Sequence, residues 1–140
     1  MIYLASDHGG YELKEFIKNN YLLPNNIEFE DCGCDSDDSC DYPDFAHIAS
    51  NKINNSSDVG IFVCGTGNGI NMTANSHSNI RGALCWKKDI AELARSHNNA
   101  NVMSLPGRHI SNQEALECVE SFLNTEFEGG RHQRRIDKIK

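Results

Sequence analysis

The sequence predicts an α/β fold, a three-layer α/β/α sandwich around a five-stranded parallel sheet. Three observations carry this. Short apolar runs alternate with amphipathic segments along the chain, the order that builds a parallel sheet covered by helices on both faces. The run DVGIFVC at 58–64 is almost continuously apolar, as a central strand buried on both faces must be. The length of 140 residues and a 39% apolar share suit one domain with a core of useful size. No linker, internal repeat or low-complexity stretch divides residues 1–140, and only a basic arm at about 129–140 stands apart.

The elements follow in order. IYLA at 2–5 reads as the first strand. YELKEFIKNNY then places Leu13, Phe16 and Ile17 on one helical face. NNIEFEDCG reads as a second strand with Ile27 and Phe29 inward. DYPDFAHIASNKI carries Pro43 near its first turn, where a missing N–H costs nothing. Its predicted buried stripe is Phe45, Ile48, Ala49 and Ile53. The third strand is DVGIFVC, and a helix begins within or just after the glycine loop behind it. RGALCW is the fourth strand, and KKDIAELARSH a helix with Ile90, Leu93 and Ala94 on one side. NVMSL is the fifth strand. SNQEALECVESFL opens with Ser111 and Glu114 at capping-box spacing and buries Leu116, Val119 and Leu123, with Ala115 and Phe122 beside them.

Composition removes several function classes. The formal charge is −7, which argues against general nucleic-acid binding. The charge is uneven, however: RHQRRIDKIK holds five Lys/Arg and one Asp, a local anion site or a solvated helix end. No apolar run approaches the roughly 18–20 residues of a membrane span, and MIYLASDHGG lacks the features of a signal peptide. The protein is therefore expected to be cytoplasmic, without a membrane partner. Its six cysteines are read as thiols. DCGCDSDDSC lacks paired C-x-x-C units and a nearby His pair, so it reads as an acidic loop and not a zinc site.

In open parallel sheets, ligands bind beyond the carboxyl ends of the strands. SDHGG follows the first strand and offers Asp7 and His8; CGTGNG follows the third, starting at Cys64; PGR follows the fifth and ends in Arg108. First and third strands are commonly neighbours in this architecture, which brings Asp7, His8 and Cys64 together. The glycine loop is not a dinucleotide fingerprint, because it reads G-x-G-x-G with Ile70 in the place of the last glycine. It lacks the G-K-[S/T] of a Walker loop, and a Cys-based phosphatase loop would carry Arg where Ile70 stands. What remains is exposed amides at a helix start, open to a small anion. Cys64 beside them could be a nucleophile, a carbon-proton base, or a buried thiol on a tight turn. His97, in SHNNANV, falls at the opposite end of the sheet. It is a structural histidine, or it serves a second subunit's site.

SDHGG, CGTGNGI, RSHNNANVMSLPGR and EGGRHQRRI together span nearly the whole chain. In this order they resemble the B-type ribose-5-phosphate isomerases, a sugar-phosphate isomerase family that includes galactose-6-phosphate isomerase subunits. The resemblance implies a Rossmann-like domain acting as a homodimer with shared sites, possibly a tetramer, with no cofactor and no catalytic metal. It implies that Cys64 is the enediol-forming base and His97 the ring-opening acid donated by the partner. It implies substrate binding by Asp7, His8, Gly65, Thr66, Gly67, Asn68, Gly69 and Asn98, with Arg108, Arg131 and Arg135 holding the phosphate. His132 and Arg134 lie in the last block without an implied role. One branch of the family replaces the cysteine with a glutamate a few residues on; here Cys64 is present and the corresponding region reads NGIN, without Glu, so the resemblance is to the cysteine branch. The extra cysteines of the acidic loop depart from the family pattern. The expected reaction is aldose–ketose isomerisation of ribose 5-phosphate and ribulose 5-phosphate. The alternatives are a six-carbon phosphate such as allose or galactose 6-phosphate, or a non-catalytic phosphosugar-binding module.

Overall fold

The computed structural model describes residues 1–140. Five strands, β1 (Ile2–Ser6), β2 (Phe29–Asp31), β3 (Val59–Cys64), β4 (Gly82–Leu84) and β5 (Val102–Pro106), form one sheet in the order β2-β1-β3-β5-β4. Every pairing is parallel, and β1 lies beside β3 with Ser6 opposite Val63. Six helices accompany them: α1 (Tyr11–Ile17), α2 (Tyr42–Lys52), α3 (Asn68–Asn75), α4 (Lys88–Ser96), α5 (Asn112–Asn124) and α6 (Arg131–Ile136). α1 continues through a wider π-type turn, Lys18–Leu22.

Alternation along the strands sorts the core into two layers. Ile61 and Val63 of β3, with Met103 and Leu105 of β5, pack toward α1, α4 and α5. Phe62 and Cys64 face the other way, with Ala46 and Ala49 of α2 and Ile70 and Ala74 of α3. Cys64 thus ends its strand on the α2–α3 side.

The predicted elements are present, with local differences. The second strand is shorter than predicted, and Ile27 and Phe29 are only half-buried, because β2 is an edge strand with one neighbour. The predicted stripe of α2 is shifted. Ile48 is 46% exposed, and Ala46 is buried beside Ala49, because small side chains let the helix lie close on the sheet. On α4, Leu93 is likewise exposed, and Ala91 joins Ala94 against the core. The fourth strand keeps only Gly82–Leu84. α5 begins with the predicted capping box: Ser111 Oγ accepts the Glu114 N–H at 3.1 Å, and Glu114 Oε1 accepts the Ser111 N–H at 3.1 Å.

The basic tail, which the sequence sets apart as an arm, is docked here. It contains α6, whose His132 and Ile136 are buried, and Lys140 Nζ donates to the carbonyls of His77 and Ile80. No helix is long and apolar enough to cross a membrane.

Candidate active site

The site grows from the carboxyl ends of β1, β3 and β5. At the end of β3, Cys64 is 4% exposed, and the chain turns sharply at Gly67, with φ of 78°. That turn aims the Gly67 N–H at Cys64 Sγ, 3.2 Å away. A side chain is excluded there twice over. Its φ is left-handed, and a Cβ would stand 2.4 Å from Leu84 Cδ1. Thr66 Oγ1 accepts the Asn68 N–H at 3.2 Å, closing the turn into α3. Thr66 and Asn68 are exposed at the loop's rim, and the Tyr42 ring packs on Gly69.

β1 delivers its pair beside this loop. The Asp7 N–H donates to the Val63 carbonyl, and buried Asp7 accepts the Gly10 N–H on Oδ1 at 3.1 Å. His8 Nδ1 accepts the Cys40 N–H at 3.2 Å. The Cys40 carbonyl oxygen is equally close to Nδ1, at 3.2 Å, so the Cys40 backbone holds this edge of the ring and leaves Nε2 free for a ligand. From β5 comes Arg108. Its N–H bonds the Gly65 carbonyl at 3.0 Å, and its guanidinium lies against the backbone of Gly9, where a Cβ would stand 3.3 Å from Cζ.

Two cavities open here with His8 between them. One, of about 310 Å³, is lined by His8, Glu12, Asp37 and Arg108. The other, of about 490 Å³, is lined by Asp7, His8, Cys40 and Tyr42. Burial pushes the Cys32, Cys40 and Cys118 thiols up to about 11 and Cys85 up to about 12. Those four stay protonated at neutral pH. Cys64 differs from them in facing the glycine loop with an amide donor on its sulfur.

The remaining predicted residues are not brought to this end. His97 follows α4 and precedes β5, so it stands at the amino edge of the sheet. Five residues of β5 separate the two edges, about 16 Å of strand. Asn98 is exposed beside His97, its carbonyl held by Arg81 Nε at 3.1 Å. Arg131 and Arg135 are exposed and four apart on α6, hence on one face of it. The α6–tail segment shares a groove with Ser78 and Arg81, at that same edge. The chain therefore carries two half-sets. One edge holds Asp7, His8, Cys64, the Gly65–Gly69 loop and Arg108. The other holds His97, Asn98, Arg131 and Arg135.

Sequence reasoning missed Tyr42, Glu12 and Asp37 as lining residues. They come from helix starts and the acidic loop, which carry no signature of their own. It also gave no role to His132, whose ring stacks on His97.

Residues 2–139 match the family model for ribose/galactose isomerases. The probable ribose-5-phosphate isomerase B of Mycoplasma genitalium is 44% identical over 141 aligned positions, covering 99% of this chain and 92% of that protein. The crystal structure of a ribose 5-phosphate isomerase from Thermotoga maritima superposes with a TM-score of 0.95 at 53% identity, covering 99% of this chain and 95% of that one. The Mycoplasma genitalium ribose-5-phosphate isomerase B with bound ribulose-5-phosphate superposes with a TM-score of 0.92 at 44% identity, covering 99% and 92%.

Proposed function

The chain belongs to the ribose/galactose isomerase family, and from that membership we propose its function: it interconverts D-ribose 5-phosphate and D-ribulose 5-phosphate. The observation that carries the reading is the Gly67 amide on the sulfur of Cys64, at the same strand ends that carry His8 and Arg108. A small anionic substrate suits that combination. Arg108 offers donors to phosphate or hydroxyl oxygens, His8 presents its Nε2 edge for a further hydrogen bond, and Cys64 supplies a thiol for proton transfer at carbon.

The chemistry runs in two stages. Cyclic ribose 5-phosphate has no carbonyl, so the ring opens first. An acid protonates the ring oxygen, and the O1 hydroxyl loses its proton, giving the aldehyde. Cys64 thiolate then takes the C2 proton, leaving a cis-enediolate with its charge on O1; the O2 proton passes to O1, and the thiol returns its proton to C1 as O2 becomes the carbonyl. Glycine-loop amides, with Thr66 at the rim, are donors for the enediolate oxygens. One such donor is typically worth roughly 3 kcal/mol of barrier.

His97 is the acid in this reading, and the two half-sets explain how it acts. Two copies related by a two-fold axis would each place a Cys64 edge against the other's His97 edge, which makes two equivalent shared sites. Arg131 and Arg135 would then reach the phosphate from the second copy. Phosphate binding far from the reacting carbons holds C1 and C2 in place for proton transfer.

The test is direct. Metal-free purified protein is mixed with ribose 5-phosphate, allose 6-phosphate and galactose 6-phosphate in parallel, and ketose formation is followed. The pentose is expected to turn over fastest. Turnover of a hexose phosphate alone would reassign the substrate, and binding without turnover of any of the three would make the protein a phosphosugar-binding module.

A further inference from the structure

The His97 ring makes no hydrogen bond within its own chain. What holds it is the face of another imidazole. His97 and His132 stack with ring centroids 4.1 Å apart and planes 16° from parallel. His132 is itself fixed. It is 8% exposed, its N–H bonds the Gly129 carbonyl at 3.2 Å, and its Nε2 lies 3.5 Å from Glu128 Oε1. The Glu128 N–H in turn donates to the carbonyl of Ser96, the residue before His97, at 3.0 Å. The segment 128–132 thus grips the end of α4 by its backbone and by a ring.

We infer that His132 is a positioning residue for the isomerase reaction, holding His97 by its face so that both edge nitrogens stay free for proton transfer to the sugar. The inference rests on the reading of His97 as the ring-opening acid. An acid on a helix end, half exposed, has several staggered positions open to it. The usual remedy is a hydrogen bond to the second ring nitrogen, which consumes one edge of the imidazole. A stacked partner orients the ring without touching either nitrogen.

The same three side chains bring their ligand atoms within 4.8 Å of one another, which raises the question of a metal. Near-parallel rings 4.1 Å apart confine their in-plane lone pairs to two separate, nearly parallel planes, whereas a shared tetrahedral ion needs them to meet at one point. A metal would require the stack to open. Positioning uses the stack as it stands.

The test separates ring opening from enediol chemistry. Ribulose 5-phosphate cannot close to a furanose because its C5 oxygen is esterified. Exchange of its C1 proton with solvent deuterium therefore reads proton transfer by Cys64 without needing the acid. His97→Asn should lower turnover of ribose 5-phosphate while exchange persists. His132→Leu should copy that pattern, with kcat lowered about tenfold or more and KM within about threefold of wild type. His132→Phe, which restores a flat ring without nitrogens, should recover most of the lost turnover.

Wild-type kcat in His132→Leu would overturn the inference, and so would a His132→Phe as slow as His132→Leu. Loss of exchange together with turnover in His132→Leu would mark a general structural role and also overturn it. The underlying reading fails separately. If His97→Asn keeps full turnover, or loses exchange to the same extent as turnover, His97 is not the ring-opening acid, and the inference about His132 falls with it.

Discussion

The Gly67 N–H donates to Cys64 Sγ at 3.2 Å. This single contact distinguishes Cys64 from an ordinary buried thiol. Its sulfur has a fixed direction, toward the loop, and a donor for the negative charge it carries when acting as a base. Cys64→Ala should therefore abolish conversion of ribose 5-phosphate while calorimetry still detects binding of ribulose 5-phosphate. Near-normal turnover would remove Cys64 from the mechanism.

The same contact depends on the backbone at Gly67. Alanine there would sit at a φ of 78° with its Cβ 2.4 Å from Leu84 Cδ1 and 3.1 Å from the Leu105 carbonyl carbon. Backbone carbon cannot swing aside as a side-chain tip can. Gly67→Ala should cost about 1–3 kcal/mol in urea denaturation. Its kcat should fall about tenfold or more as the amide leaves the sulfur. A variant with wild-type stability and kcat would mean the turn can reshape freely.

The fold was legible because its signals are local. DVGIFVC declared a doubly buried strand, and Ser111 with Glu114 declared a helix start. The Cys64 edge was legible because topology alone sends the ends of β1, β3 and β5 to one place. Faces of the helices were less so. Ile48 and Leu93 matched the helical period but lost their buried places to Ala46 and Ala91, since closeness of approach to the sheet, which periodicity does not encode, favours the smaller side chain. The His97–His132 stack was invisible for a different reason. It joins positions 35 residues apart through the docking of α6, and nothing in either local sequence announces the other.

Arg135 is exposed on α6, one turn beyond Arg131 and on the same face. In the proposed dimer both meet the phosphate, which does not change during the reaction. A group that binds ground state and transition state alike affects KM and leaves kcat. Arg135→Ala should raise KM for ribose 5-phosphate about tenfold with kcat lowered by less than about threefold, a charge-assisted bond being worth about 1.5–3 kcal/mol. An unchanged KM would argue that this arginine does not anchor the phosphate.

The last prediction concerns the acid limb of stability. Asp31 ends β2, where the chain turns toward the Cys34–Cys40 loop that supports His8. Its Oδ1 accepts from buried Lys14 Nζ at 2.7 Å and from the Gly33 N–H at 3.0 Å, and its Oδ2 accepts from Lys18 Nζ at 2.7 Å. Lys14 Nζ also donates to the Cys34 carbonyl at 2.6 Å. Burial pushes the Asp31 carboxyl up, but the two ammonium bonds and the amide outweigh it and hold the group below 3.8. A carboxyl whose folded value is depressed binds its proton more readily when unfolded. Its stabilising contribution is therefore complete above the unfolded value and is lost as pH falls through the folded one. Asp31→Asn should be less stable than wild type by about 1–3 kcal/mol at pH 7, where the carboxylate is charged. The gap should shrink as pH falls below about 4, because a protonated Asp31 resembles the asparagine. Denaturant titrations of both proteins between pH 7 and pH 3 measure it. A gap that stays constant across that range would show that the charge on Asp31 is not what stabilises this corner of the sheet.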